Sequence, residues 1–161
     1  MAYMDTMTGL GNRTAFLEEN KSNAIFPGMI SYIMMDANNL KTINDTLGHN
    51  KGDELIITIA KCMRKAVGHN GQCYRIGGDE FVIILKNKTA AETEEIINKV
   101  RCEIEFADKQ SDITISVAIG YVWTDTEQKN LEDLMQHADD EMYQDKKKTK
   151  ENKSKENTHS I

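Results

Sequence analysis

Cysteine is scarce in this sequence, which has three among its 161 residues. They are Cys62, Cys73 and Cys102, each set in an apolar pattern and far from the other two. An odd number of widely spaced cysteines excludes a disulfide framework, and the absence of a CxxC motif argues against a zinc site. We therefore predict reduced thiols without a functional role, as in a cytosolic protein.

Long apolar runs and an excess of basic residues are also missing. The longest apolar run, MISYIMM (29–35), is far too short to span a membrane, and the N-terminus carries no signal-peptide pattern. The net charge of −6 argues against nucleic acid as the main partner, because phosphate backbones bind basic surfaces. A nucleotide stays compatible with this charge, since a triphosphate needs only a few local cations and a metal. We predict a cytoplasmic location without a membrane segment, although the full-length protein could be tethered to a membrane.

What is present is a regular alternation of helix and strand signals. Residues 29–37 form an apolar run of strand formers, and residues 112–123 alternate between apolar and polar positions. Thr89 and Glu92 form the sequence pattern of a capping box before an amphipathic helix. The resulting order is helix, strand, two helices, hairpin, helix, strand, helix. This order is typical of the α+β (mixed α/β) class, with one sheet packed on helices.

The C-terminal segment differs from the rest of the chain. From Lys146 onward it reads KKKTKENKSKENTHSI and has almost no apolar residue. Such a segment buries too little surface to offset the entropy of ordering. We therefore predict one domain over residues 1–147 and a Lys-rich, disordered tail over residues 148–161.

The predicted hairpin, RIGGDEFVIIL (75–85), carries two adjacent acids, Asp79 and Glu80, after two glycines. Taken alone, a GGDE segment is more often a solvated turn than a metal site. Asp36 ends the first predicted strand, and it lies close to Asp79 and Glu80 if the two strands are neighbours. Carboxylates presented together in this way suit hard divalent cations and substrate phosphates. The residues thus predict a candidate metal–nucleotide site without defining a reaction.

A resemblance to one family is carried by four segments, which are DTMTGLGNR (5–13), MDANNLKTINDTLGHNKGDEL (35–55), RIGGDEF (75–81) and HADDEMYQDKK (137–147). Together they resemble the signature segments of the GGDEF-domain family, the diguanylate cyclases. The resemblance runs from Asp5 to about Lys150, in the family's order and separations. It implies a central five-stranded sheet surrounded by helices, similar to nucleotidyl cyclases and polymerase palms.

The resemblance implies a reaction and the residues that perform it. Family members condense two GTP molecules into cyclic di-GMP and two pyrophosphates, with two copies of the domain meeting as a homodimer. By this resemblance Asp36 and Asp79 hold two divalent cations, Mg²⁺ or Mn²⁺, with help from the backbone carbonyl of Ala37. Asp79 and Glu80 are then the catalytic residues. Glu80 either contacts the metal or helps to deprotonate the attacking 3′-hydroxyl, and the sequence does not separate these roles.

The same resemblance implies contacts to the base and the ribose of GTP. Asn44 and Asp53 match the guanine-binding positions, and His49 matches a ribose contact. The Asp53 carboxylate can accept hydrogen bonds from guanine N1–H and N2–H, which adenine does not offer. Without the resemblance, Asp53 is explained as a first-turn helix acid, Asn44 as a helix-end residue and His49 as a surface residue.

Three lysines match the phosphate-binding positions of the family, and these are Lys41, Lys146 and Lys150. Lys150 stands where family members carry an arginine, so we predict at most modestly weaker binding of the triphosphate, because lysine lacks the bidentate fork. Another departure follows the first strand, where DANNL (36–40) replaces the family's DxDxF but keeps its first aspartate. We therefore expect the metal site to persist.

Two further departures concern regulation. GHNG (68–71) replaces the Arg-x-x-Asp site through which product inhibits many members, so we predict no inhibitory site there. The chain begins only a few residues before the first motif. We therefore expect an upstream sensory or dimerising module to be absent from this chain, and an isolated domain to be slow at low concentration.

Two classes of function stay open at this point. The favoured one is an active diguanylate cyclase without product inhibition, because the acids and the guanine-binding residues are all present. The alternative is a catalytically silent module that binds GTP and signals to a fused partner. A relaxed choice of nucleotide, which would give mixed cyclic dinucleotides, is opposed by Asp53.

Overall fold

A computed structural model describes residues 2–127 and 129–159, with side chains described as far as residue 150. The helices and strands, in chain order, are α1 (Arg13–Asn23), β1 (Ile30–Ala37), α2 (Leu40–Leu47), α3 (His49–Val67), β2 (Gly71–Arg75), β3 (Glu80–Lys86), α4 (Ala90–Gln110), β4 (Val117–Thr124) and α5 (Leu131–His159). A single 3-10 turn, Gly68–Asn70, joins α3 to β2. This order confirms the predicted mixed class, although β4 begins later than the predicted strand over residues 112–123.

The sheet has the strand order β2-β3-β1-β4, and every neighbouring pair is antiparallel. In the register of β1 against β3, Asp36 faces Glu80. The end of β1 therefore meets the start of β3 and the turn that precedes it. This is the adjacency on which the predicted metal site depends.

The expectation of five strands is wrong for the described part of the chain, whose sheet has four. No other described segment forms a strand of this sheet, and the outer edge of β4 is occupied by side chains instead. The Ile119 amide donates to Asp145 Oδ2 at 2.8 Å, and the Tyr121 amide donates to Glu141 Oε2 at 3.1 Å. Acidic residues of α5 thus satisfy edge N–H groups that a further strand would have bonded.

Helices cover both faces of the sheet, which explains why β1 is almost continuously apolar. Successive residues of a strand point to opposite faces. Ile33 and Met35 accordingly pack with α3 and α4, whereas Tyr32 and Met34 pack with α1 and α5. The capping box predicted from Thr89 and Glu92 is confirmed at the start of α4.

Gly120 in β4 lets α5 approach the sheet at backbone distance. A Cβ atom built on Gly120 would overlap the carbonyl oxygen of Ala138 and the amide nitrogen of Met142, and would lie 2.8 Å from the carbonyl carbon of Glu141. Any other residue would therefore push the helix outward. Close docking of α5 matters for the site because this helix carries Lys146.

Helix α5 continues as far as His159, into the segment for which the sequence predicts disorder, and that disorder stays a prediction. Lysine and glutamate have high helix propensity, and no proline or glycine interrupts residues 131–159. The boundary of the domain at residue 147 stays a prediction. Among the residues that the structure describes, no helix is long and apolar enough to cross a membrane.

Candidate metal and nucleotide site

Asp36 is the centre of the candidate site. Its Oδ2 atom accepts a hydrogen bond from Lys146 Nζ at 3.0 Å, and its side chain is 15% exposed. Its Oδ1 atom is buried and has no hydrogen-bond partner among the described residues. The next residue, Ala37, donates its amide to the carbonyl oxygen of Asp79 at 2.8 Å. The end of β1 is therefore fixed directly to the turn that carries the other acids.

The two glycines of that turn have different roles. Neither lies in the left-handed region of backbone conformation. A Cβ on Gly77 would lie 2.9 Å from Glu80 Oε2, whereas a Cβ on Gly78 would meet nothing within 4 Å. Gly77 therefore makes room for the Glu80 side chain, and Gly78 leaves open backbone that a ligand can approach.

Arg75 connects the turn to the N-terminal segment. Its Nη2 atom donates to the carbonyl oxygen of Gly78 at 2.8 Å, and its Nη1 atom lies 3.3 Å from both carboxylate oxygens of Asp5. Burial raises the pKa of Asp5, but hydrogen bonds from Thr8 and the charge of Arg75 outweigh burial and leave this pKa lowered. Sequence reasoning did not predict this ion pair, because its partners are 70 residues apart in the chain.

Negative charge is concentrated around Asp36 and Glu80. Burial raises the pKa of Asp36, and the charge of Asp79 raises it further against the opposing effect of Lys146. Burial also raises the pKa of Glu80, and the charges of Asp36, Asp79 and Asp139 add to that effect. A bound divalent cation would relieve this repulsion. Asp139 lies in the HADDEMYQDKK segment, but sequence reasoning gave it no role.

These residues fit a metal that is bound together with a nucleotide. Over the described residues, no three or more His, Cys, Asp or Glu side chains are arranged to hold a metal alone. Mg²⁺ is usually bound by one or two carboxylates together with substrate phosphates, and not by a complete protein cage. Asp36 and Asp79 can provide those carboxylates, and the unpartnered Oδ1 atom of Asp36 is a ready oxygen ligand.

A small cavity next to Asp36 brings together the features that suit phosphate. It has a volume of about 70 Å³ and is lined by Asn38, Asn39, Lys146, Thr149 and Lys150. The N-cap of α2 is Asn39, whose φ is 67° and whose side chain makes no capping hydrogen bond. Helix N-termini without a side-chain cap leave N–H groups that bind anions. The structure thus places two of the predicted phosphate-binding lysines beside such an N-terminus.

Lys41 lies in the first turn of α2 and is exposed. Within the part of the chain that the structure describes, its ammonium group forms no hydrogen bond or ion pair. It therefore differs from Lys146, which is held by Asp36.

The predicted base and ribose contacts lie where α2 meets α3. Gly48 alone joins the two helices, with φ at 93°, a conformation that favours glycine. Asn44 is half-buried, whereas His49 and Asp53 are exposed near the start of α3. In the described residues, no hydrogen bond or ion pair holds the side chain of His49 or Asp53. Both side chains are therefore available to a ligand.

The segment predicted to lack an inhibitory site forms an exposed 3-10 turn, Gly68–Asn70. His69 and Asn70 line a separate cavity of about 610 Å³, together with residues of α1, β2 and β3. No arginine is among the described residues that line this cavity. It lies away from Asp36, so the structure places it outside the candidate site.

The fold is a mixed α/β domain, and its candidate metal and nucleotide site lies where β1 and β3 meet. The sequence profile described as "Diguanylate cyclase, GGDEF domain" matches residues 2–152. The chain belongs to the GGDEF family, whose diguanylate cyclases depend on divalent metals.

Similar proteins agree with this family. The chain is 34% identical over 159 residues to signaling protein YkoW of Bacillus subtilis, covering 93% of the chain and 20% of YkoW. It is 33% identical over 152 residues to diguanylate cyclase DgcN of Escherichia coli, covering 90% of the chain and 37% of DgcN. The chain thus spans well under half of the length of these relatives.

Solved structures show the same fold. The GGDEF domain of DgcB from Caulobacter crescentus, solved in complex with c-di-GMP, superposes with a TM-score of 0.80 at 24% identity. The superposition covers 91% of each chain. The mixed α/β architecture predicted from the sequence is therefore confirmed.

Proposed function

We propose that this chain is the catalytic domain of a diguanylate cyclase, which joins two GTP molecules into cyclic di-GMP with release of two pyrophosphates. One observation carries the proposal, namely the buried, unpartnered Oδ1 atom of Asp36. It lies in a cluster of acids and beside a lysine-lined cavity at the start of α2. A metal and a triphosphate would both find ligands there.

Asp36 and Asp79 would hold two divalent cations, Mg²⁺ or Mn²⁺, and the Ala37 carbonyl would assist. When bound, such ions stabilise the attacking and leaving oxygens of a phosphoryl transfer. The protein's contribution is rigid placement of the acids, since the Ala37 amide and Arg75 hold the turn from two sides. Little reorganisation is then needed when substrate arrives.

The phosphates of GTP would lie at the N-terminus of α2, with Lys146, Lys150 and Lys41 around them. Lys146 donates to Asp36 in the free protein. With Asp36 engaged as a metal ligand, the Lys146 ammonium group would be free to donate to the phosphates. Lys146 would therefore act as a counter-cation before binding and as a phosphate ligand afterwards.

Asn44 and Asp53 would recognise guanine, with His49 near the ribose. The Asp53 carboxylate is free to accept hydrogen bonds from N1–H and N2–H of guanine. Adenine offers neither donor at these positions, so the carboxylate would be left unpaired. This arrangement opposes a relaxed choice of nucleotide.

Glu80 would act on the attacking 3′-hydroxyl, either as its base or through the metal. Burial and neighbouring acids raise its pKa, which makes it a better proton acceptor than an ordinary glutamate. The hydroxyl belongs to a GTP bound by a second copy of the domain. Each copy would therefore supply half of the site, and turnover would require a homodimer.

Product inhibition through the Gly68–Gly71 segment is not expected. Residues of this segment are exposed or half-buried, and none is an arginine that could bind guanine and phosphate together.

The second candidate function, a silent GTP-binding module, is favoured by one observation. Asn38 replaces an acid of the family pattern, and its amide donates to Ser116 Oγ at 2.9 Å, so no carboxylate is offered there.

The proposed function is tested by comparing Glu80→Gln with Glu105→Gln, which changes an exposed acid of α4. Cyclic di-GMP formed from GTP and Mg²⁺ is measured at high protein concentration. We expect Glu80→Gln to lower turnover by at least about a hundredfold while GTP still binds, and Glu105→Gln to act as the unaltered chain. If the unaltered chain binds GTP but forms no product, even when two copies are fused, the silent module is the correct function.

A further inference from the structure

Gly52 provides a hollow that the side chain of Asn44 fills. Gly52 is buried in the first turn of α3. A Cβ atom built on it would overlap Asn44 Oδ1 and lie 2.8 Å from Asn44 Cγ. Protein interiors are too closely packed to absorb such an overlap without movement. The amide of Asn44 therefore occupies the space that any other residue at position 52 would claim.

The backbone does not explain a glycine at this position. Gly52 lies within a helix and outside the left-handed region, unlike Gly48 at the corner between α2 and α3. Inside a helix, glycine is less favourable than alanine because it loses more conformational freedom on folding. The hollow is the feature that only glycine provides here.

Asn44 is held in the hollow by shape and not by hydrogen bonds. Its Oδ1 atom is buried, and it has no hydrogen-bond partner in the described part of the chain. A buried acceptor without a partner is costly, so an apolar side chain would pack better if packing were its only role. The next nearest atom outside Asn44 is Leu40 Cδ1, which would lie 3.2 Å from a Cβ on Gly52.

We propose that Gly52 is a positioning residue for recognition of the base. The proposal rests on the proposed function, since it takes Asn44 and Asp53 as guanine contacts. Asp53 directly follows Gly52 in α3, so the hollow fixes the Asn44 amide on α2 relative to the carboxylate on α3. A side chain at position 52 would turn the Asn44 amide away, so that Asp53 alone would contact the base.

The packing part of the proposal is tested by the melting temperatures of four chains, which are the unaltered chain, Gly52→Ala, Asn44→Ala and the double variant. We expect Gly52→Ala to lower the melting temperature when Asn44 is present. We expect it to raise the melting temperature when Asn44 is alanine, because the overlap is gone and alanine favours the helix. A decrease in both backgrounds would overturn the proposal, since the new methyl group would then meet something other than the amide.

The recognition part is tested by the affinities of the four chains for two non-hydrolysable nucleotide analogues, one of GTP and one of ATP, with Mg²⁺. We expect Gly52→Ala and Asn44→Ala each to reduce the preference for guanine about fivefold, as loss of one hydrogen bond predicts. The double variant should show no further loss. A purely structural role would weaken binding of both analogues equally and would contradict the proposal.

Gly28→Ala is the matched control, because a Cβ there would lie 2.7 Å from Asn87 Oδ1, at the end of β1 opposite to Asp36. It should change the melting temperature without changing the preference for guanine. If the unaltered chain shows no preference for guanine, the proposed function is wrong. If Gly52→Ala keeps the full preference, only the positioning role of Gly52 is wrong.

Discussion

The two halves of the candidate site are held in different ways. The metal half is fixed by strand pairing, by the Ala37 amide on Asp79 and by Lys146 on Asp36. In the base half, described contacts hold neither His49 nor Asp53, and Asn44 is held only by the hollow at Gly52. The metal half is thus built in advance despite its charge repulsion, whereas the base half is completed by the ligand. This difference suits a site in which chemistry needs fixed geometry and recognition needs access.

The largest effect is expected in the metal half. Asp36→Asn should lower turnover at least about a thousandfold, since a catalytic metal contributes several kcal/mol to transition-state stabilisation. Calorimetry with Mn²⁺ in the presence of a saturating non-hydrolysable GTP analogue should show that metal binding is lost. The matched control is Asp112→Asn, which changes an exposed acid paired with Lys51. Equal Mn²⁺ affinity in the two variants would show that Asp36 is not a ligand.

A smaller effect is expected in the base half. Asp53→Asn should raise the KM for GTP by about ten- to a hundredfold, because hydrogen bonds to a charged group contribute about 1.5–3 kcal/mol. Binding of Mn²⁺, measured with a saturating non-hydrolysable GTP analogue, should not change. Glu54→Gln, next in the chain and exposed, serves as the control in the same steady-state measurement. A variant that loses metal affinity together with GTP affinity would contradict the separation of the two halves.

Docking of α5 links the metal half to the fold. Gly120→Ala should reduce the free energy of unfolding by about 1–3 kcal/mol, because the new Cβ overlaps the α5 backbone. Gly78→Ala adds a Cβ in open space and should stay within about 0.5 kcal/mol of the unaltered chain. Urea unfolding measures both. Equal free energies of unfolding for Gly120→Ala and Gly78→Ala would show that docking of α5 does not depend on its close approach to the sheet at Gly120.

The smallest effect is the pH dependence of the metal-free fold. The pKa values of Asp36 and Glu80 are both raised, so the folded chain binds these protons more tightly than the unfolded chain. Their contribution to stability is present in acid and is lost as the pH rises through the raised pKa values. Asp79→Asn removes one cause of the raised pKa values of Asp36 and Glu80. As the pH rises to about 7, the melting temperature of this variant should therefore fall less than that of the unaltered chain, by on the order of 2 °C. If the melting temperatures of the unaltered chain and of Asp79→Asn change in parallel with pH, this coupling is contradicted.

The metal half of the candidate site could be predicted from the sequence more fully than the base half. The apolar run before Asp36 predicted a buried strand, and the glycine turn predicted the hairpin, so antiparallel pairing brought Asp36 to Glu80 as expected. The N-terminal link from Asp5 to Arg75 could not be predicted, because such a contact depends on tertiary packing and not on local pattern. The hollow at Gly52 was equally hidden, since a glycine inside a helix gives no signal of which side chain fills its space.

The four-stranded sheet shows a further limit of the sequence. A family resemblance implied five strands, but the edge of β4 is satisfied by Asp145 and Glu141 of α5. Acidic residues on a helix are ordinarily explained as solvated. Only the structure shows that these two replace a hydrogen-bonded neighbour.

The initial rate of cyclic di-GMP formation from GTP and Mg²⁺, measured as a function of protein concentration, tests the central claim most directly. Each copy is proposed to supply half of the site, so the rate per chain should rise with concentration until dimers saturate. Asp79→Asn should show no product under the same conditions. A rate per chain that is constant from low to high concentration, or GTP binding without product at any concentration, would contradict the account.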